Sequence, residues 1–518
     1  MRRKIVVENL EKPIGVSYKN SPSMSKRTAI RMKKSSRFSI LLYSVLSTLL
    51  AIANPLLTYF ANGLQTQNLY TGLMMTKGQI PYSDVFATGG FLYYVTIALS
   101  YLLGSSIWLL IVQFIAYYVS GIYFYKLVYY VAQSEIVSIG MTLIFYIMNI
   151  VLGFGGMYPI QWALPFMLIS LWFLIKFCVD NIVDEAFIFY GILAAFSLFI
   201  DPQTLIFWLC SFVLLTATNI KQKQSLRGFY QFLCVVFGMI LIAYTVGYFM
   251  FNLQIISSYI DKAIFYPFTY FARTNHSFLL SLAIQIVVLL GSGCLFGLWD
   301  FIQNRKKASY QIGLNFIACI FIIYAIMAIF SRDFNLYHFL PALPFGLLLT
   351  SNKITILYQK VIDRRSHRRQ YFSGKSLIVD LFVKKTYYLP LLLVSLSIGL
   401  LVYNTYQNVT LSKERRDISH YLTTKIDRDG KIYVWDKVAS IYSQTRLKSA
   451  SQFVLPHINT AQKNNEKILK DELLQHGAKY FILNKNEKLP NELKSDIKKH
   501  YQEVPLSNIT HFVLYRFK

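Results

Sequence analysis

The stretch FYQFLCVVFGMILIAYTVGYFMF, residues 229–251, decides the class of fold. It contains no charged side chain, and about 20 apolar residues suffice for a helix to cross a bilayer. Apolar stretches of similar character recur at residues 38–60, 90–104, 107–131, 135–153, 161–178, 186–200, 203–219, 279–300, 311–330, 336–350 and 387–404. The sequence therefore predicts an α-helical polytopic membrane protein with about 11–13 transmembrane helices.

Composition excludes an ordinary soluble globule. Hydrophobic residues make up 55% of the 518 residues and charged residues 15%, whereas soluble domains average about 25% charged residues. The five cysteines lie in or beside apolar stretches, so the sequence does not predict a disulfide framework. It has no glycine-rich phosphate loop, which disfavours a nucleotide-driven pump, and no Cys/His cluster with metal-ligand spacing, so no metal site is predicted.

The net charge of +27 is concentrated beside apolar stretches. Residues 1–37 hold eleven Lys and Arg against two acidic residues, and residues 353–385 hold nine against two. Juxtamembrane basic residues mark the cytoplasmic side and contact anionic lipid headgroups. We therefore expect membrane lipids rather than nucleic acid as partners. The leader at 1–37 and the loop at 353–385 are predicted to be cytoplasmic, and the chain after residue 404 extracytoplasmic, in a multi-pass plasma-membrane protein whose first span is a retained anchor.

The predicted spans conflict with this orientation in the first half of the chain. Seven spans lie between the leader and the basic segment at 221–227, which would place two basic segments on opposite faces of the membrane. Two interpretations resolve the conflict. Either the short span at 90–104 is part of a longer kinked helix, or the pair of spans around Asp201 and Pro202 is re-entrant.

The C-terminal region has a different pattern of polar and apolar residues from the rest of the chain. A polar helical stretch at 464–476 alternates with the compact apolar runs KIYVW (431–435), KYFIL (479–483) and HFVLY (511–515). This alternation predicts a small α/β domain, with Gly477 as the C-cap of its helix. The predicted division is a transmembrane domain over 38–404, with an outer loop at 61–89, and a soluble extracytoplasmic domain over 405–518.

Three sequence elements resemble a known superfamily. The predicted outer loop contains KGQIPYSD at 77–84, followed by Thr88-Gly-Gly. The string RDFNLYHFLP at 332–341 places an aromatic/His pair before a proline-containing helix, and the tail follows with its apolar runs. In this order the elements resemble the GT-C integral membrane glycosyltransferases, in particular the group of protein mannosyltransferases and aminoarabinose transferases.

The resemblance implies transfer of a sugar from a polyprenyl-phosphate donor to a cell-envelope acceptor on the outer face of the membrane. The acceptor would be a glycan, a teichoic-type polymer or a protein. Such a reaction needs a carboxylate as general base and cations that stabilise the departing phosphate. The implied site residues are the base Asp84 and the substrate or phosphate contacts Lys77, Tyr82, Arg273, Arg332, Tyr337 and His338. No cofactor is expected, and assistance by a divalent cation stays open.

Structural roles compete with these assignments. Asp84 can cap a helix or close a turn, and Tyr337 and His338 can be packing residues at the membrane interface. Asp201 lies between two apolar runs beside a proline, where a turn is the favoured interpretation over a functional intramembrane charge.

The chain also departs from the superfamily. Gln65 and Gln67 stand where many members carry an acidic residue, and Gln161 lies in a stretch where relatives present a carboxylate. A non-catalytic relative with a scaffolding role is therefore one alternative function. A transporter or flippase of a lipid-linked saccharide is another, although the chain shows no clear internal repeat of the kind that many transporters carry.

Overall fold

The computed structural model describes residues 30–153, 155–179, 182–269, 277–304, 311–331, 335–366, 388–427, 429–506 and 509–518. Most of the predicted leader and of the predicted loop at 353–385 lie outside these residues, as do Arg273 and Arg332. The helices before the C-terminal domain are α1 (Lys34–Leu49), α2 (Gly63–Met75), α3 (Phe91–Leu102), α4 (Ile107–Ala132), α5 (Glu135–Leu152), α6 (Pro159–Phe177), α7 (Phe187–Ile200), α8 (Leu205–Lys221), α9 (Ser225–Asn252), α10 (Ile256–Tyr259), α11 (Phe278–Gly291), α12 (Cys294–Asn304), α13 (Gln311–Phe330), α14 (Leu343–Ser366) and α15 (Tyr388–Lys425).

Long apolar helices confirm the polytopic membrane fold. Among the described residues, six helices are long and apolar enough to cross a membrane, and α11 with α12, bent by 76°, makes a seventh at most. Apolar side chains on α9, among them Phe237, Ile240 and Tyr244, are exposed, as expected for a helix that faces lipid. Each predicted apolar stretch contains a helix. The count of membrane-long helices is nevertheless lower than predicted, because helices such as α1 and α7 hold only 16 and 14 residues.

The predicted span at 90–104 is the short helix α3. Its 12 residues extend about 18 Å at 1.5 Å per residue, which is less than the hydrocarbon core of a bilayer. At its start, the backbone N–H of Gly90 donates to the carbonyl of Ile200, and near its end Tyr101 packs against a hydrophobic cluster that α2 shares with the C-terminal domain. Both ends therefore lie on the side that carries this domain. Without this helix, six predicted spans separate the leader from Lys221. An even number of spans places these two basic segments on the same side of the membrane, which removes the conflict with the positive-inside rule.

The predicted outer loop at 61–89 contains helix α2. Asn62 and Gln65 form a capping box, in which each side chain accepts a hydrogen bond from the other residue's backbone N–H, at 3.0 and 2.9 Å. The polar residues Thr66, Gln67 and Asn68 of this helix are buried. The helix was not predicted because its buried face is polar, so it lacks the apolar periodicity that marks helices in a sequence.

The C-terminal domain is a five-stranded sheet with flanking helices, which confirms the predicted α/β class. The strands have the order β2-β1-β3-β5-β4, with β2, β1 and β3 parallel and β5 antiparallel to its two neighbours. They are β1 (Lys431–Trp435), β2 (Lys448–Ser449), β3 (Tyr480–Asn484), β4 (Tyr501–Val504) and β5 (Phe512–Phe517), and the helices are α16 (Ser440–Thr445), α17 (Lys463–Leu474) and α18 (Asn491–His500). The predicted strands are β1, β3 and β5, whereas β2 and β4 are edge strands too short to show a pattern.

The end of α17 corrects one prediction. The C-cap is Gln475, and the residue in the left-handed conformation is His476, with φ of 57°. Gly477, predicted as the cap, lies one residue beyond it. The helix ends two residues earlier than the sequence pattern indicated.

Helix α15 joins the two parts of the protein. Its predicted span ended at residue 404, but the helix continues to Lys425 and enters the C-terminal domain. There the guanidinium of Arg415 donates two hydrogen bonds to the carboxylate of Asp436, at 2.7 and 3.0 Å, and both side chains are buried. Glu414 accepts hydrogen bonds from Thr510 and His511. These contacts fix the helix to the end of β1 and to the start of β5.

Candidate functional site

A cavity of about 890 Å³ lies between the membrane helices and the C-terminal domain. Its floor is formed by turns and helix ends of the membrane part, and its roof by loops of the C-terminal domain. Among the lining residues, Asn68, Thr88, Gly89, Tyr158, Asp201, Tyr337 and His338 belong to the floor, and Trp435, Lys437, His457, Asn459, Glu487 and Lys488 to the roof. A cavity of this size holds a ligand as large as a saccharide with its phosphate.

Asp201 is the carboxylate on the floor of the cavity. It is 5% exposed, and Oδ1 accepts a hydrogen bond from the backbone N–H of Gln203 at 3.0 Å. Burial raises the pKa of Asp201 to about 7, against the opposing effect of the Gln203 hydrogen bond. Within the described ranges, no cation pairs with this side chain. Asp201 is therefore suited to take up and release a proton near neutral pH.

Local sequence explains the position of Asp201. It ends α7 and caps the short 3-10 helix Pro202–Thr204, in which proline occupies the first turn. Gly90 of the Thr88-Gly-Gly string packs against the end of α7, directly before this turn. A Cβ added at Gly90 would lie 2.1 Å from the carbonyl oxygen of Phe199, so only glycine permits the approach. The predicted turn at Asp201 is therefore correct, and the turn also carries the buried carboxylate of the cavity.

Two hydrogen-bond donors in the roof have no partner among the residues that the structure describes. Trp435 Nε1 and Asn459 Nδ2 are buried and make no hydrogen bond within the part of the chain that the structure describes. Both residues line the cavity. An unpaired buried donor costs about 1–3 kcal/mol, so a ligand that supplies acceptor oxygens would relieve this cost. The two donors therefore point to an oxygen-rich ligand.

A charged group of side chains lies beside these donors. Glu487 pairs with Lys437 at 3.0 Å and with His457 at 2.9 Å. Burial alone would raise the pKa of Glu487, but the hydrogen bonds from His457 and Lys437 outweigh it and the pKa is lowered. Glu487 is therefore an anion that holds two side chains in place at the edge of the cavity.

The structure places two of the predicted site residues in the cavity. Tyr337 and His338 line its floor, and the ring of Tyr337 stacks on Tyr158 with centroids 4.7 Å apart. Arg273 and Arg332, the predicted phosphate contacts, fall outside the described residues.

The other predicted site residues do not line the cavity. Asp84 is exposed, and its Oδ2 accepts a hydrogen bond from the backbone N–H of Ile80 at 2.8 Å, which closes a turn. Lys77 donates to the carbonyl of Arg446. Tyr82 is fully buried, with φ of 69°, and its hydroxyl donates to Gly89 at 2.8 Å. In the structure, all three side chains contact their own loop or the C-terminal domain.

Three glutamines stand where the resemblance leads us to expect acidic residues, and each of them makes a hydrogen bond within the protein. The side chain of Gln65 donates to the carbonyl of Gly156 at 2.8 Å, and that of Gln67 to Phe86 at 2.8 Å. Gln161 donates to the hydroxyl of Tyr117 at 3.3 Å. The Gln65 amide joins α2 to the segment before α6, the Gln67 amide joins α2 to the loop before α3, and the Gln161 amide joins α6 to α4.

Comparison with solved structures supports the predicted fold. The chain is similar to the crystal structure of ArnT from Cupriavidus metallidurans bound to undecaprenyl phosphate, with a TM-score of 0.52 and 12% sequence identity. The similarity covers 93% of this chain and 97% of that chain. It shows that the GT-C-like fold predicted from the sequence is correct.

Two family models match the two parts of the chain. The model described as "Putative competence-induced protein Ccs4 N-terminal domain" matches residues 25–409. The model described as "Putative competence-induced protein Ccs4 C-terminal domain" matches residues 412–518. A comparison with curated proteins gave no match. Because the two models together span the membrane part and the sheet domain, the chain belongs to the competence-induced Ccs4 family.

Proposed function

We propose that the chain is a membrane glycosyltransferase that moves a sugar from a polyprenyl-phosphate donor to a cell-envelope acceptor. The observation that carries this proposal is a cavity with the buried carboxylate of Asp201 on its floor and, on its roof, the donors of Trp435 and Asn459, which have no partner among the described residues. A phosphate-linked sugar offers hydroxyl and phosphate oxygens to such donors. ArnT, which shares the fold, was crystallised with bound undecaprenyl phosphate, and this supports a polyprenyl carrier.

The proposed reaction uses Asp201 as the general base. The acceptor hydroxyl gives its proton to Asp201 while its oxygen forms a bond to the anomeric carbon of the sugar. The bond from this carbon to the phosphate oxygen breaks, and the phosphate leaves with the bonding electrons on the polyprenyl carrier. Lys488 lines the same cavity and supplies positive charge for the departing phosphate. Arg332 stays a predicted second phosphate contact.

Two carboxylates are candidates for the base. The family resemblance favours Asp84, and the cavity favours Asp201. A general base must come within hydrogen-bond reach of the proton that it abstracts. Asp201 lines the cavity that would hold both substrates, whereas the Asp84 carboxylate is bound to its own turn. We therefore assign the base to Asp201, and paired substitutions of the two residues decide between them.

The cavity and the C-terminal domain face the outside of the cell in this proposal. Lys221 ends α8, which begins next to Asp201, and Arg227 pairs with Asp184, just before α7. The 17 residues of α8 extend about 26 Å, so these basic residues lie about one membrane thickness from the cavity. Because Lys and Arg collect on the cytoplasmic side, the N-terminal leader is cytoplasmic and the C-terminal domain extracytoplasmic.

One observation favours a second candidate function. Gln65 and Gln161 stand where relatives present carboxylates, and both are held in structural hydrogen bonds. A chain with the fold but without these acids fits a non-catalytic protein that binds a polyprenyl-linked saccharide and supports another enzyme. This candidate predicts binding in the cavity without a chemical role for Asp201.

Surface-glycan composition distinguishes the candidates. Envelope glycans of cells without the gene would be compared by mass spectrometry with those of cells that carry the wild type or Asp201→Asn. The transferase proposal predicts a missing substituent that the wild type restores and Asp201→Asn does not, with the lipid-linked sugar accumulating in the outer leaflet. A flippase instead predicts accumulation in the inner leaflet. Full restoration by Asp201→Asn would move the base to Asp84. Full restoration by the double variant Asp201→Asn, Asp84→Asn at normal protein level would overturn the transferase proposal in favour of the non-catalytic one.

A further inference from the structure

Three side chains with metal-ligand chemistry meet on the C-terminal domain. Asp496 and His500 are one turn apart on α18, and His476 follows the end of α17. The Nε2 atom of His476 is 2.9 Å from Oδ2 of Asp496, and the Nε2 atom of His500 is 3.6 Å from Oδ1. One ligand atom from each residue lies within 4.8 Å of the others. None of these residues lines the cavity, so the cluster is separate from the proposed transferase site.

The spacing of these atoms fits a tetrahedral zinc ion. Zinc binds histidine nitrogen and carboxylate oxygen at about 2.0–2.2 Å, which places neighbouring ligand atoms of a tetrahedron about 3.4 Å apart. From the single oxygen Oδ1 of Asp496, the Nε2 atoms of His476 and His500 are 3.1 and 3.6 Å away, on either side of this value. Only small side-chain movements would bring the three atoms to ideal positions. Ligands four residues apart on one helix are also the spacing of known helical zinc pairs.

The backbone holds His476 in an unusual conformation at this place. Its φ of 57° is left-handed, a conformation that costs a non-glycine residue about 1 kcal/mol or more. Glycine usually occupies this position after a helix, and Gly477 stands only one residue later. The ring of His476 packs against His500 and Phe517, with centroids 4.4 and 5.7 Å away. These contacts keep the ring beside Asp496 before any ion binds.

The cluster is partly open to solvent. The side chains of His476, Asp496 and His500 are 23%, 17% and 37% exposed, which leaves room for a water molecule as fourth ligand. We propose that these three residues bind one divalent transition-metal ion of the zinc class. The ion would tie the end of α17 to α18, which the His476–Asp496 hydrogen bond otherwise joins. The neighbouring charges of Lys498 and Lys499 oppose the ion and set its affinity below that of fully closed structural sites.

Metal titration of the whole protein tests this proposal. The full chain, purified in detergent without a polyhistidine tag and stripped with a chelator, would be titrated with Zn²⁺ in a calorimeter. The proposal predicts one bound ion per chain. It also predicts at least a 10-fold loss of affinity in His476→Gln, His500→Gln and Asp496→Asn, because each removes one ligand. The matched control is His420→Gln, which changes an exposed histidine on α15 and should bind as the wild type does.

A second measurement does not depend on the variants. Co²⁺ bound to the wild-type chain should give the intense visible absorption of a tetrahedral site, and Zn²⁺ should displace it. Wild-type protein that binds no Zn²⁺, or a triple variant that binds it as tightly as the wild type, would overturn the proposal. In either case the three side chains form only a charge-assisted hydrogen-bonded cluster.

Discussion

Phe86 of the membrane part stacks on Phe453 of the C-terminal domain, with ring centroids 4.9 Å apart and 25° between the ring planes. The two side chains are only 3% and 1% exposed. The backbone N–H of Phe86 donates to the carbonyl of Gln452 at 2.9 Å, and the ammonium group of Lys262 lies 5.0 Å from the Phe86 ring centroid. This contact holds the C-terminal domain against the membrane part beside the cavity. The cavity therefore depends on the docking of the C-terminal domain onto the membrane part.

Phe86→Ala should therefore loosen the docked domain. Removing a buried phenylalanine costs about 3–5 kcal/mol, and here the loss falls on the interface. We expect faster proteolysis between α15 and β1 and a lower melting temperature in detergent. Leu102→Ala, at a residue that is 70% exposed, is the control and should behave as the wild type. Equal proteolysis rates for the two variants would contradict this role for Phe86.

The buried pair of Arg415 and Asp436 should matter far more than a surface pair. Arg415→Ala leaves the Asp436 carboxylate buried without its cation, which costs about 3–5 kcal/mol. Lys448→Ala removes a pair with Asp429, whose side chain is 92% exposed, and should cost at most about 1 kcal/mol. Thermal unfolding of the two variants measures the difference. Similar melting temperatures would show that the pair does not anchor α15.

The indole N–H of Trp435 is predicted to bind the donor substrate. Trp435→Phe removes this N–H but keeps an aromatic ring in the roof. Loss of one hydrogen bond of about 1.4 kcal/mol corresponds to a 10-fold weaker affinity for the polyprenyl-phosphate sugar. Donor binding would be measured by native mass spectrometry or competition, with Trp299→Phe, at a residue that is 62% exposed, as control. Unchanged donor affinity in Trp435→Phe would remove this residue from the binding site.

Sugar transfer should depend on pH through Asp201. A general base must be ionised, and burial raises the pKa of Asp201 to about 7. Transfer is therefore expected to be full above pH 8 and to fall as the pH decreases through about 7, with about a 100-fold loss two units below the pKa. An exposed carboxylate would instead lose activity near pH 4. A rate that stays constant from pH 8 to pH 5 would contradict the assignment.

The sequence predicted where the apolar helices lie because hydrophobicity is a local signal, but it overestimated how many of the described helices are long enough to cross a membrane. The stretch at 229–251 lies within α9, which is exposed and apolar on much of its surface. Helix α2 was not predicted because several of its buried residues, such as Gln65 and Gln67, are polar, and their amides donate to residues distant in the sequence. The span at 90–104 was predicted to cross the membrane because it is apolar. Hydropathy does not show which residues a short helix contacts at its two ends.

The candidate site could be predicted only in part. Tyr337 and His338 were identified beside a proline-containing helix, and both line the cavity. Asp201 was noticed as a charge between apolar runs, but only its turn could be predicted from the sequence. Its place in a cavity depends on the approach of Gly90 and on a roof formed by residues far along the chain, such as Trp435. The proximity of His476 to Asp496 and His500 on α18 likewise could not be predicted from the spacing of these residues in the sequence.

Sugar transfer by purified protein tests the central claim most directly. Wild-type, Asp201→Asn and Asp84→Asn chains in lipid vesicles would be supplied with a radiolabelled polyprenyl-phosphate sugar and envelope acceptor. Loss of Asp201 should reduce the rate by about 100-fold or more, while donor binding persists. Asp84→Asn should retain activity, because an asparagine oxygen can still accept the hydrogen bond from Ile80. Wild-type rates in Asp201→Asn, or loss of transfer in Asp84→Asn alone, would contradict the account.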